Sequence, residues 1–285
     1  MKIKEIESET FMINTHVAKE NINERRGIVI ILDALGVKNF DTETSKQFIL
    51  DFHQIVGLVG GYEKMLKKIY LVNEQAQFEV FMFQDTLILT LDVPDEKSLL
   101  NYLQFTNDWL SKFFITALNL KIYFRGAISY GNFIEYNKHF YLGEAVRDAA
   151  QWYEEADWLG IIYTPNIGKY LFESMSYIRQ GILQNEQIDT LGSRFELNFI
   201  YYNVPVKNGK TCTLWCVNWV TSLFATGSLP ELEINKRSNS LSYYYSLMKF
   251  ADIPKGSENK YNNTLVFVES VHRTFPELNN IPRPN

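Results

Sequence analysis

The stretch Gly27-Ile-Val-Ile-Ile-Leu32 leaves this chain little freedom in how it folds. Consecutive β-branched side chains favour extended backbone, and in a strand they point to the two faces in alternation. A strand that is apolar on both faces has to be covered on both faces, so this one belongs inside a sheet. The run ends on Asp33, where a carboxylate is costly unless it finds a partner.

The rest of the chain is read outward from this strand. Residues 1–26 are polar and mixed, an irregular arm ending at Arg25-Arg26. After Asp41-Thr42, a good N-cap pair, Phe48, Ile49, Phe52, Ile55 and Val56 recur at helical spacing through residue 69, with Gly60-Gly61 placed to break or kink the helix. Phe78 to Val93 reads as two strands meeting near Gln84-Asp85. Pro94-Asp95 then opens a helix to about Thr116, with Leu99, Leu103 and Trp109 on its apolar side. Leu120 to Tyr141 is a strand pair turning near Asn137, Gly143 to Ala156 a helix, Leu159 to Thr164 a strand and Ile167 to Tyr177 a helix. The order β-α-β-β-α-β-β-α-β-α predicts an α+β sandwich, with helices on a mainly antiparallel sheet. Beyond residue 180 the pattern changes to a hairpin around Asn208-Gly209, a helix near 235–251 and a Pro/Asn-rich tail. The division expected is an arm at 1–26, a unit at 27–180, and a C-terminal α/β extension at 181–285 packed on it.

Composition narrows the classes of function. Apolar residues at 46% of 285 supply a sizeable core, and the 15% of aromatics, spread along the chain, point to a thick core more than a binding strip. A net charge of −5 argues against broad affinity for nucleic acid, which needs a basic surface, but leaves room for a small phosphorylated ligand. The start is charged and lacks an apolar signal core, and no window approaches 18 uninterrupted apolar residues. A soluble, cytoplasmic protein with no membrane contact is therefore expected. Cys212 and Cys216 are too few for a zinc site and read as core thiols.

Two carboxylates carry the chemistry. Asp33 closes the buried run, and Asp85 sits inside Phe81-Met-Phe-Gln-Asp-Thr-Leu-Ile-Leu89. One economical partner for such a pair is a divalent cation, since Mg²⁺ favours one or two carboxylates plus substrate phosphates. Turn capping is the plainer role for either residue alone.

Further motifs follow in order: Asp33 to Gly36 as D-x-x-G at a strand end, Phe83 to Asp85 as F-x-D in a hairpin, Arg125 to Gly131 as R-x-x-I-x-x-G, and Gly143 to Ala150 as G-[DE]-x-V-x-x-A-A opening a helix. Over roughly residues 24–180 this ordered set resembles the catalytic domain of class III nucleotidyl cyclases. The resemblance implies a ferredoxin-related α+β unit that dimerises head to tail, with active sites at the interface. It also implies two Mg²⁺ or Mn²⁺ ions per site held by Asp33 and Asp85, and backbone from Ala34 through Leu35, Gly36 and Val37 cradling a triphosphate near a helix N-terminus. Lys38, just beyond, is either a contact to the same triphosphate or a solvated lysine.

Departures from the family pattern fall on the base and the transition state. Purine cyclases of this family carry a Lys four residues before the second aspartate, where this chain has Phe81, and a polar base-reading residue three before the helix-opening Gly, where it has Phe140. The helix Asn and Arg that orient the ribose and stabilise the transition state are replaced by Arg147 and Gln151. Two readings follow. One is an active cyclase with Arg147 supplying the charge, similar to the pyrimidine cyclases of bacterial antiphage signalling that make cyclic UMP or CMP. The other is a catalytically inactive homodimer acting as a nucleotide-binding or regulatory module. Arg125 is either a phosphate contact or a strand-end ion pair. His16, His53, His139 and His272 are dispersed and lack ligand spacing.

Overall fold

The computed structural model describes residues 22–37, 40–138, 140–182, 197–224 and 256–275. Its centre is β1 (Ile22–Ala34), which pairs antiparallel with β3 (Thr86–Asp92) on one side and β4 (Phe124–Tyr136) on the other. The strand is longer than the apolar run that announces it, and Arg25 and Arg26 are part of it, not of an irregular arm. The β4 ladder and ion pairs hold the extra length: Arg25 meets Asp92 on the neighbouring β3 and Glu79 one strand further out, and Arg26 meets Glu96.

The two faces of β1 are covered by different helices. Ile28, Ile30, Leu32 and Ala34 join the main core with α1 (Thr42–Ile69) and α2 (Leu99–Asn119), while Val29 and Ile31 pack with Ala145 and Ala149 of α3 (Glu144–Glu155). This is the two-sided burial that an unbroken aliphatic run requires. The hairpin β2 (Glu79–Phe83) to β3 turns at Gln84, whose φ of +55° is left-handed. Together β1-α1-β2-β3-α2-β4, in sheet order β4-β1-β3-β2, form a ferredoxin-like βαββαβ unit.

The sheet continues past that unit. β5 (Phe140–Gly143) pairs with β4, β6 (Ile161–Tyr163) lies parallel to β4, and α4 (Pro165–Ile182) follows. β8 (Lys210–Val217) then joins β6 antiparallel and β7 (Phe199–Val206) forms the edge, so the Asn208-Gly209 hairpin extends the same sheet. The parallel β4–β6 pair makes the eight-stranded sheet mainly, not wholly, antiparallel. α6 (Glu258–Thr274), which follows the short α5 (Trp219–Phe224), locks onto the loop before β6: the Leu159 amide donates to Thr264 Oγ1 at 2.7 Å, and Phe267 meets the Trp158 ring at 4.7 Å.

Two helices differ from their sequence expectation. α1 runs unbroken through Gly60-Gly61, because Phe48, Phe52, Ile55, Val59 and Leu66 anchor it on both sides of the pair and Asp41 accepts from the Thr44 amide at 2.8 Å. α2 begins at Leu99, later than Pro94-Asp95, since the Asp95 carboxylate accepts from the Ser98 amide at 2.8 Å and holds the chain in a turn. Its buried side is wide, since Phe113 meets both Phe52 of α1 and Phe124 of β4 and Phe114 meets Trp219, and it leaves a half-buried polar stripe of Asn101, Asp108, Lys112 and Asn119. The residue 235–251 helix, the tail, Lys38, His16 and His139 fall outside the described residues.

Gly60 and Gly61 are exposed, and a Cβ at either would meet nothing within 4 Å among the described residues. Replacing each by Ala is expected to stabilise the fold by up to about 1 kcal/mol in urea unfolding, the usual helix-interior difference. Destabilisation by either change would contradict an unbroken helix.

Candidate nucleotide and cation site

Asp33 is the last-but-one residue of β1, on the same face as Val29 and Ile31, and only 9% exposed. Its cross-strand neighbours are Thr86 on β3 and Arg125 on β4. Asp85 belongs to the tip of the β2–β3 hairpin, and its carbonyl accepts from the Ala34 amide at 2.7 Å. That bond and the β1–β3 register place the two aspartates on neighbouring strand ends. The Asp85 carboxylate is half-buried and has no hydrogen-bond or ion-pair partner among the described residues.

The Asp33 carboxylate is engaged. Arg125 Nε donates to its Oδ2 at 2.8 Å, with both side chains about 15% exposed or less. Arg125 Nη1 reaches the carbonyls of Glu154 and Ala156 at 3.4 and 3.3 Å, at the C-terminal end of α3, where cations are favoured. The guanidinium also lies 5.7 Å from the Tyr153 ring centre. Burial, with the charges of Glu154 and Asp33, pushes the Tyr153 phenol up. Of the two roles open to Arg125, the structure thus shows the strand-end ion pair.

Backbone after Asp33 is held on both sides. The amide of Ala34 is taken by Asp85, and that of Leu35 donates to the Tyr123 carbonyl at 2.8 Å. Two of the four amides expected around a triphosphate are therefore already used, which leaves Gly36 and Val37. Gly36 has φ +90°, a backbone shape that glycine takes without strain. The N-terminus of α1 carries its own anion, the exposed Asp41 carboxylate, which hydrogen bonding to Thr44 holds below its ordinary range.

The remaining expected residues are dispersed along the face. Phe81 lies opposite Ile88, and its ring is 6.1 Å from Tyr141; it sits about 7 Å along the sheet from the level of Asp33. Arg147 is exposed on α3, seven residues or about 10 Å of helix axis before the Glu154 carbonyl that binds Arg125. Phe140 is 62% exposed and pairs through Tyr136 with Ile22, eleven residues or about 35 Å from Asp33 along β1. Within one chain, Phe140 and Asp33 do not share a site.

The opposite end of the same face carries a second polar cluster. Arg25 is ion-paired to Glu79 and Asp92 and lies 3.9 Å from Glu135. Burial works to raise the Glu135 carboxyl, but bonds from Asn23 and the Lys138 amide and the charge of Arg25 hold it below its usual range. No group of three or more His, Cys, Asp or Glu among the described residues is arranged to hold a metal ion. Two aspartates on neighbouring strand ends, one of whose carboxylates has no protein partner among the described residues, do fit a cation that takes its other ligands from phosphate and water. Sequence reading gave no sign of Thr86, of Tyr153, or of the Ser129 to Asp148 hydrogen bond at 2.7 Å, since each depends on strand or helix register.

Comparisons with known proteins add little. No family model matches, and no curated protein does. One solved structure that matches is a class III adenylyl cyclase-like ATP-binding protein from Pseudomonas aeruginosa, at 13% identity and a TM-score of 0.30. The match covers 52% of this chain and 35% of that one. The fold description above rests on the strand order itself. No helix of the described residues is long and apolar enough to cross a membrane.

Removing Arg125 strands a carboxylate that is largely shielded from water. Arg125→Ala is expected to lower stability by about 3 kcal/mol in urea unfolding, and the double variant Asp33→Asn/Arg125→Ala by less than the sum of the single changes. Strict additivity would show that the pair is not coupled.

Proposed function

We propose that the chain binds a nucleoside triphosphate with a divalent cation at the Asp33–Asp85 end of the sheet and converts it to a 3′,5′-cyclic nucleotide and pyrophosphate. The observation that carries this reading is the Ala34 to Asp85 hydrogen bond, which brings the two acidic residues together beside the Gly36 turn. Asp33 and Asp85 would hold Mg²⁺ or Mn²⁺, two ions per site. Bound there, the ions would lower the charge barrier to attack by the ribose 3′-hydroxyl and stabilise the pyrophosphate leaving group. The Gly36 and Val37 amides are the donors left for phosphate, and Lys38 follows them in sequence.

The base and the assembly complete the proposal. Phe81 gives the base an apolar neighbour where a purine-reading family member has a charge, and UTP or CTP is the proposed substrate, with a role in bacterial antiphage signalling. Phe140 reaches such a site only from a second copy of the chain, so a homodimer with interfacial sites belongs to the same reading. Arg125, already committed to Asp33, serves the site through that carboxylate; Arg147, exposed on α3, is the cation proposed to meet phosphate charge. A second reading, a non-catalytic nucleotide-binding module, is favoured by one observation: Arg147 is exposed and Gln151 takes the place of the family's transition-state Arg.

Incubating the purified protein with each labelled NTP and Mn²⁺ or Mg²⁺, beside Asp85→Ala, separates these readings. The expected result is one cyclic mononucleotide from one NTP, absent from a variant whose circular dichroism is unchanged. Cation-dependent NTP binding without product supports the non-catalytic module. Absence of both product and binding contradicts the proposal.

A further inference from the structure

We infer that Arg125 is a built-in counter-cation for Asp33, one that occupies the carboxylate when no metal is bound and weakens divalent-cation binding until it lets go. The inference rests on the cation-binding reading of Asp33 given above.

The geometry has three parts. First, Arg125 faces Asp33 directly across the β1–β4 ladder, so its reach to the carboxylate is set by strand register and not by a mobile loop. Second, the contact is made by Nε at 2.8 Å to Oδ2, in surroundings where an unpaired carboxylate would be strongly disfavoured. Third, the guanidinium has another place to rest. Nη1 already points to the Glu154 and Ala156 carbonyls, at 3.3 to 3.4 Å, which are long contacts with room to tighten. The Tyr153 ring lies alongside. Arg125 can thus release Oδ2 and stay paired at the negative end of α3, so giving up Asp33 does not strand a buried charge.

Charge decides the direction of the effect. Asp33 and Asp85 together carry −2, and Arg125 reduces the local total to −1. A divalent cation arriving there meets repulsion from the guanidinium and competes with it for Oδ2. Removing the positive charge must therefore strengthen cation binding, even while it weakens the metal-free fold. A purely structural ion pair predicts the loss of stability alone. Because the released guanidinium moves toward the α3 carbonyls, occupancy of the carboxylates also bears on α3, the helix that carries Arg147.

The test is a Mn²⁺ titration followed by electron paramagnetic resonance on the full chain, without nucleotide, for wild type, Arg125→Gln, Arg125→Lys, Asp33→Asn and the double variant Asp33→Asn/Arg125→Gln. Arg125→Gln is expected to bind Mn²⁺ about tenfold more tightly, the size typical of changes just outside a metal's own ligands. Its melting temperature is expected to be lower than wild type without metal and to recover more on saturation with Mn²⁺. Arg125→Lys keeps the charge and is expected to stay near wild-type affinity, and it serves if the Gln variant fails to fold. Asp33→Asn should abolish the gain in the double variant. Unchanged or weaker Mn²⁺ binding by folded Arg125→Gln, or tenfold tighter binding by Arg125→Lys, overturns the inference. If that happens while Asp33→Asn still loses Mn²⁺, the cation site stands and only the counter-cation role fails. If Asp33→Asn binds like wild type, the cation-site reading fails with it.

Discussion

Pairing of β1 on both edges is the constraint from which the rest follows. All thirteen residues pair with β4 and residues 27–33 pair with β3 as well, and the aliphatic middle is covered above and below by different helices. A one-residue slip in either ladder would turn Asp33 from the α3 face into the main core. The apolar run that fixes the register therefore also aims the carboxylate. The Ala34 amide adds the last rung by reaching the hairpin tip, which delivers Asp85 to the same end.

The two ends of that face are built on opposite charge logic. Around Arg25, Glu79, Asp92 and Glu135 converge on one guanidinium, and Asn23 and the Lys138 amide bond to Glu135 as well. Those carboxylates have protein partners and little left to offer a ligand. At the Asp33 end one guanidinium serves one carboxylate, and the neighbouring acid has no partner among the described residues. This asymmetry, more than the number of acids at either end, makes the Asp33–Asp85 end the place for a cation and its phosphates.

Much of this was legible in the residues, and the parts that were not share a cause. The aliphatic run, the helical spacing of Phe48, Phe52 and Ile55, and the Asn208-Gly209 turn are local signals, and each matches an element. Gly60-Gly61 misled because helix propensity is a weak force beside five buried anchors on the same helix. Residues 22–26 were obscured because their strand is held by ion pairs and ladder bonds, which leave no hydropathy pattern. At the site, both aspartates stood out because a charge after an apolar run is conspicuous. The Arg125 pairing, the amides consumed at Ala34 and Leu35, and the 35 Å scale of separation between Asp33 and Phe140 are consequences of register, and register is written across strands far apart in sequence.

The central claim is a location: cation and triphosphate meet at the Asp33–Asp85 end of the sheet. The most direct measurement is paramagnetic broadening of backbone amide resonances by Mn²⁺ in the presence of a non-hydrolysable UTP analogue. The account predicts that the amides of Gly36, Val37 and Thr86 broaden first, while those of Arg25 and Glu135 stay sharp. Broadening centred on the Arg25 cluster, or spread evenly over the surface, would contradict it.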